Sequence, residues 1–157
     1  MIVRKGYELL ENVRDVLAES ADIKAWSNSN YGRDHCVFLG INNEQPPDPD
    51  TKFPLLVLYS CTRAKSANVA DVNYGIELGA GVKDESITVE GNKTTYDGLS
   101  KVCEFRELAE AVLTEGKNGL GKVDVNSDTW DDMQFPLFAS NSIIEISRPK
   151  NYRSSAR

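Results

Sequence analysis

The strongest constraint on the fold is a run in which apolar residues occupy every second position. From Val72 to Val82 the apolar positions alternate with Asn73, Glu77 and three glycines. A period of two over this length is typical of a long strand with one buried face. The glycines predict a bulge, a bend or the close approach of another backbone on the opposite face.

Two segments have helical rather than strand periodicity. Tyr7–Ala25 carries an apolar stripe on one face and acidic residues off that stripe, so an amphipathic helix is predicted there, ending at Trp26. A second helix is predicted over Leu99–Glu115, with Asp97 as its N-cap and Gly116 as its stop. Each helix has an apolar face that must pack on something.

The remaining apolar runs are short and predict strands. A Gly-Asn pair between two β-rich tetrapeptides predicts a hairpin. The proline-rich segment 42–52 predicts an exposed loop, and 116–132 predicts a loop rich in Gly, Asn and Asp with a short strand at Lys122–Val125. The other predicted strands are Cys36–Ile41, Phe53–Ser60, Ile87–Glu90, Lys93–Tyr96 and Ile143–Ser147.

The order of these elements predicts an α+β fold with a mostly antiparallel sheet and two helices packed on one face. Helices do not alternate with strands, so a doubly wound fold is not expected. The length of 157 residues is that of one ordinary domain. We therefore expect one domain over residues 1–157, with 148–157 as a basic C-terminal tail.

Charge is unevenly distributed along the chain. The formal net charge is −6, yet residues 148–157 contain four basic and no acidic side chains, which leaves −10 on the preceding part. An acidic chain is a poor candidate for wrapping nucleic acid, because phosphate binding needs a basic surface. The basic tail, with Tyr152 among its arginines, suits either a docking arm or a frayed end.

The residues that usually carry catalysis or bind metal are scarce. One histidine and three cysteines exclude a multi-histidine metal site and a disulfide framework. A P-loop-like stretch at 116–122 is followed by Val123 instead of a hydroxyl residue, and a calcium-loop-like stretch at 124–128 lacks its glycine and glutamate. His35 and Cys36 are adjacent, so in a strand they point to opposite faces. We predict no catalytic, cofactor or metal residues and no enzymatic activity, and we expect the cysteines to be buried thiols.

Two further features bear on partners and location. Trp130, Phe135 and Phe138 lie in or beside the predicted loop, where they either plug the end of the core or face a partner. No apolar run approaches the roughly 18–20 residues of a membrane-spanning helix, and no signal peptide is expected. The candidate partner contacts are Trp130, Phe135, Arg148, Lys150, Tyr152 and Arg153.

In the order and residue pattern of these segments, the chain resembles bacteriophage tail terminator proteins, also called tail completion or U-type minor tail proteins. The resemblance rests on the opening helix from Gly6, the proline-rich loop before Phe53-Pro-Leu-Leu-Val-Leu-Tyr, the long strand 72–82, the helix from Glu104 and the closing strand. It covers nearly the whole chain. The hairpin and the segment 116–134 depart from a typical member.

The resemblance implies an α+β subunit of a ring, a hexamer in that family, that caps the tail tube, ends its polymerisation and joins it to the head. The implied partners are other copies of the chain, the tail tube protein and a head-completion or connector protein, with DNA passing through an acidic lumen without specific binding. The implied location is the bacterial cytoplasm during assembly and then the virion tail. A head–tail connector subunit, a small bacterial binding or adaptor protein, and an enzyme using Cys36 remain as alternatives.

Overall fold

The computed structural model describes residues 5–65 and 71–149. These residues form four helices and seven strands. In chain order they are α1 Lys5–Glu19, α2 Ala21–Tyr31, β1 Cys36–Leu39, α3 Pro49–Lys52, β2 Leu55–Lys65, β3 Asp71–Lys83, β4 Ile87–Glu90, β5 Lys93–Tyr96, α4 Asp97–Thr114, β6 Lys122–Gln134 and β7 Leu137–Pro149.

Five of the strands form one sheet in the order β1-β2-β3-β7-β6, and β4 and β5 form a separate two-stranded hairpin. The pair β1–β2 is parallel, and the other pairs are antiparallel. The predicted α+β fold with a mostly antiparallel sheet is therefore confirmed. The predicted long strand is β3, which lies at the centre of the sheet and runs slightly further at each end than the alternation of apolar residues.

One face of β3 enters the main hydrophobic core. Ile76 and Leu78 are fully buried there, in a cluster that also contains Val13 of α1, Ile23 of α2 and Phe105 of α4. Burying an aliphatic or aromatic side chain of this size stabilises the fold by about 1.5–3 kcal/mol. Three helices thus contribute to the core that covers this face.

The other face of β3 carries the glycines, and side chains rather than another backbone approach it. A Cβ atom at Gly79 would lie 2.7 Å from a ring carbon of Tyr59, 2.9 Å from Val57 Cγ1 and 2.9 Å from Asn141 Oδ1. At Gly81 the nearest atom would be in the ring of Phe53, at 3.3 Å. The predicted irregularity lies in the neighbouring strand, where β2 shifts register between Leu58 and Cys61.

The predicted pair of helices is wrong in number, because the first helix divides and α3 was not expected. Ser20 has extended backbone angles, and its hydroxyl accepts a hydrogen bond from Ile23 N, so it caps a new helix instead of continuing the first. The new helix α2 passes Trp26, the predicted end, and stops at Gly32 in a left-handed conformation. A side-chain hydrogen bond of this kind gives the backbone an alternative to continuing the first helix.

Other helix boundaries also differ from the prediction. Helix α4 already includes Asp97, and Tyr96 occupies the N-cap position without a side-chain capping bond. The proline-rich segment forms a single helical turn, α3, whose N-cap is Asp48 and whose first position is a proline. Proline suits this position because its missing N–H would have no helical partner there.

The predicted strand at Lys122–Val125 is confirmed, but the predicted loop is wrong after Val125, since β6 continues to Gln134 with a register shift between Val125 and Thr129. The last strand is also longer than predicted, so Arg148 and Pro149 belong to β7 and not to a tail. Asp, Asn and Ser have low strand propensity, but hydrogen bonding to β7 overrides it.

We predict that Gly79→Ala destabilises the protein by about 1–3 kcal/mol, because the added methyl group overpacks a site already filled by three side chains. The measurement is the midpoint of urea unfolding. Gly116→Ala is the matched control, since nothing lies within 4 Å of a Cβ atom at that position. Equal midpoints for the two variants would contradict the close packing on this face.

Candidate partner-binding surfaces

The β4–β5 hairpin presents an apolar face to solvent. Ile87 pairs with Tyr96, and Val89 lies two residues along on the same face, with 65% of its surface exposed. The ring of Phe135 packs edge-on against Tyr96 at 5.4 Å and is itself 45% exposed. We call Ile87, Val89, Tyr96 and Phe135 the hairpin surface.

The hairpin surface is fixed to the body of the protein. Phe135 contacts the buried ring of Phe138 with centroids 6.5 Å apart. Asp97 N donates to Ser86 O at 3.0 Å, and the hydroxyl of Thr88 donates to the Asp97 carboxylate. A two-stranded hairpin is marginally stable by itself. An anchored hairpin whose apolar side chains stay in water is typical of a surface that binds a partner.

A second surface is a groove on the sheet face that carries the glycines. Its cavity has a volume of about 350 Å³, within the range of ligand-binding clefts. The proline-rich segment and aromatic rings form its walls. The residues that define this sheet groove are Pro46, Pro47, Phe53, Leu55, Val57, Tyr59, Gly79, Gly81, Leu137, Ala139 and Asn141.

The sheet groove is mainly apolar with a few polar groups at its margin. Leu55 and Val57 are almost fully buried, although they face away from the main core cluster. Asn141 is also buried, and its amide donates to the Trp130 carbonyl at 3.4 Å. Asp132 adds a carboxylate to the lining. An apolar ring with a polar tip is the chemistry that such a groove accommodates.

The structure separates the three aromatic residues that the sequence could not assign. Phe138 is buried in the core, whereas Trp130 is 44% exposed and Phe135 is nearly as exposed. Trp130 lies opposite Asn141 and therefore on the sheet face of the groove, while Phe135 belongs to the hairpin surface. The two candidate contacts thus serve different surfaces.

The basic candidates divide in a similar way. Arg148 is buried in β7, and its Nε donates to Leu120 O at 2.7 Å, so its side chain supports the end of the loop before β6. Lys150, Tyr152 and Arg153 lie outside the described residues.

Sequence reasoning missed most of the residues that form these surfaces. The sequence identifies Ile87 and Val89 only as parts of a hairpin. The shortness of its two strands was the available signal, because a hairpin of two four-residue strands has little apolar surface to pack on. Gly79 and Gly81 were recognised as unusual, but the groove above them combines four separate segments of the chain. Only the sheet register brings those segments together.

A buried polar network connects α4 to the sheet. Arg106 Nε donates to Ser140 Oγ at 2.8 Å, and its guanidinium pairs with Glu110 one turn along the helix. The Ser140 hydroxyl in turn donates to Asp131. Burial raises the pKa of the Glu110 carboxyl, and the Arg106 charge opposes that rise. The network holds α4 against β6 and β7, because Arg106 donates to Ser140 of β7 and Ser140 donates to Asp131 of β6.

The thiols and the imidazole are not arranged as a catalytic pair. His35 is buried, and its Nε2 lies 2.8 Å from Leu17 O, so Nε2–H donates to this carbonyl and the neutral ring is favoured. Burial raises the pKa of the Cys61 thiol, and burial together with the Asp131 charge raises that of Cys103. A raised pKa disfavours the nucleophilic thiolate. All three cysteines are partly buried and free.

The two stretches that resemble binding motifs lack the structural context that those motifs require. Residues 116–121 connect α4 to a strand, not to the helix N-terminus that a P-loop needs. Asp124 and Asn126 belong to β6. Within residues 5–65 and 71–149, no group of three or more His, Cys, Asp or Glu side chains is placed to hold a metal ion. No helix in this part of the chain is long and apolar enough to cross a membrane.

Comparison with known proteins adds no assignment. Neither a scan against protein-family models nor a search of curated proteins finds a match for this chain.

We predict a pH-dependent contribution of His35 to stability. Burial lowers its pKa below 6.5, and Nδ1 is buried without a hydrogen-bond partner among the described residues. The unfolded chain therefore binds the proton more readily, so the free energy of unfolding falls as pH drops below about 6.5 and levels off below the folded pKa.

The measurement compares urea unfolding of the protein and of His35→Asn between pH 5 and pH 8. The asparagine amide can still donate to Leu17 O but does not titrate in this range. The variant should lack the part of the decline that begins near pH 6.5 in the parent protein. The same slope in both proteins, or an imidazole NMR titration at or above 6.5, would contradict this account.

Proposed function

We propose that this chain is a structural subunit of a phage or prophage tail, which forms a ring on the tail tube, ends tube polymerisation and joins the tube to the head. The observation that carries the proposal is the difference between the two ends of the main sheet. The resemblance of nearly the whole chain to tail terminators supports the same assignment.

One end of the sheet carries the hairpin surface. The strand register brings Lys83 of β3 beside Leu137 of β7, and Asp84 N donates to Pro136 O at 2.9 Å just before the hairpin begins. The acidic side chains near this end, Asp84, Glu85, Glu90 and Asp97, outnumber the basic ones, Lys83 and Lys93. This end therefore combines apolar surface with negative charge.

A basic segment follows the opposite end of the sheet in the sequence. The register pairs Asp71 with Pro149 at this end. The chain leaves Pro149 into residues 150–157, which contain Lys150, Arg153 and Arg157 and no acidic residue. The acidic, apolar end of the sheet and the basic segment 150–157 attract each other, whereas two copies of either do not.

Attraction between an acidic surface and a basic segment favours a head-to-tail contact, in which one part of a copy binds a different part of the next copy. Such heterologous contacts close into a ring when the rotation between neighbours allows it, while identical patches give two-fold dimers. The net charge of −6 also suits a ring through which DNA passes without being held. The same geometry serves a head–tail connector subunit, and tail length separates the two roles.

We predict that the purified protein caps growing tail tubes. Added to polymerising tail tube protein, it should shorten the tubes in proportion to its amount and appear at one tube end in electron micrographs. A gene deletion should give uncontrolled tube length. Tails of normal length that fail to join heads would instead assign the connector role.

The hairpin surface provides a matched test of this function. Val89→Lys should abolish capping, because it places a charge in the centre of the apolar face, with little effect on the stability of the isolated subunit. Thr95→Lys is the control, since Thr95 is exposed on the opposite face of the hairpin. Unchanged tube lengths with the parent protein would contradict the proposed function, and equal capping by both variants would exclude the hairpin surface from it.

A further inference from the structure

We propose that the sheet groove binds residues 150–153 of a neighbouring copy, with the ring of Tyr152 inserted between the aromatic and proline side chains of its walls. This inference rests on the proposed ring and names the contact that joins its subunits. The volume of the groove, the charges at its margin and the length of chain after Pro149 support this occupant.

The groove matches one tyrosine side chain in size and polarity. Its volume of about 350 Å³ accommodates an aromatic ring together with part of the neighbouring backbone. Phe53 and Tyr59 cover the two glycines of the floor and offer ring faces and edges for packing. Asn141 Oδ1 lies directly over Gly79, where it can accept a hydrogen bond from a phenol hydroxyl. Tyrosine, apolar with one polar tip, satisfies both requirements.

The acidic side chains around the groove favour this basic segment over apolar segments that carry no charge. Lys150 and Arg153 flank Tyr152, and the segment 150–157 has no acidic residue. Asp132 lines the groove, and the loop that forms one wall carries the exposed Glu44 and Asp48. Opposite charges on the groove margin and on the incoming segment set its direction and speed its association.

The short length of chain between Pro149 and Tyr152 requires that the segment in the groove come from another copy. Asn141 lies in the groove, and Pro149 lies eight residues further along the same strand. At about 3.3 Å per residue this strand separates Pro149 from the groove by roughly 26 Å. Tyr152 follows Pro149 by three residues, which span at most about 11 Å. Its own groove is therefore out of reach, whatever follows in the chain.

A contact of this kind is head-to-tail by construction. Each copy uses its groove for one neighbour and its segment for the other neighbour, so the two contacts are independent. Substitution of either element should block self-assembly, and two differently damaged copies should still share one intact contact. Full-length variants can therefore test the groove and the segment separately.

The experiment measures oligomeric mass by native mass spectrometry and light scattering. Tyr152→Ala and Ala139→Phe, which fills the groove, should each weaken self-association about tenfold or more and yield monomers. Their equimolar mixture should form a 1:1 dimer that grows no further. Tyr7→Ala, at an exposed tyrosine on α1, is the control and should assemble like the parent protein.

Asp132→Lys provides a second groove variant at an exposed position, in case Ala139→Phe does not fold. It should also weaken assembly and should dimerise with Tyr152→Ala. Rings formed by Tyr152→Ala, or mixtures that stay monomeric, would overturn the docking of Tyr152 while leaving the proposed ring intact. A parent protein that is monomeric at every concentration would overturn the proposed ring and this contact together.

Discussion

The pairing of β3 with β2 on one side and with β7 on the other determines what lies on each face of the sheet. Every residue of β3 from Asp71 to Lys83 is in register with β7. Because successive side chains point to opposite faces, this single ladder decides which residues enter the core and which line the groove. A shift of one residue would exchange Leu78 for Gly79 and remove both features.

The two faces of the sheet along this ladder have different roles. Helices α1, α2 and α4 cover the apolar face, and the hydrogen bond from Arg106 to Ser140 fastens α4 to β7. The glycine face has too little side-chain volume to form a second core. Tyr59 and Phe53 close over the glycines, and a groove remains beside them. The main core and the groove thus lie on opposite sides of the same strand.

How far the sequence predicts the fold depends on whether the signal is local. Strand β3 and the Gly91-Asn92 hairpin are confirmed because their signals are local, the first an alternation of apolar residues and the second a turn at which Gly91 has positive φ. The part of strand β6 after Val125 is not predicted because most of its residues are polar, and only pairing with β7 makes them a strand. The division at Ser20 was missed because one serine inside an apolar periodicity does not reveal which hydrogen bond its side chain makes.

The candidate surfaces were less accessible to sequence reasoning for the same reason. Trp130 and Phe138 look alike in the sequence, but the register places one in solvent and the other in the core. The groove gathers residues from distant segments that no spacing rule connects. The charge division between the body and the C-terminal residues is evident from the sequence, and the strand register adds that the chain reaches Pro149 at the end of the sheet opposite the hairpin.

The central claim is that copies of this chain associate head to tail and close into a ring. Electron microscopy of the purified protein, with class averages viewed along the particle axis, tests it most directly. We expect closed particles with one rotational symmetry axis and identical neighbours all pointing the same way around the ring. Two-fold symmetric dimers, or single subunits at all concentrations, would contradict the account.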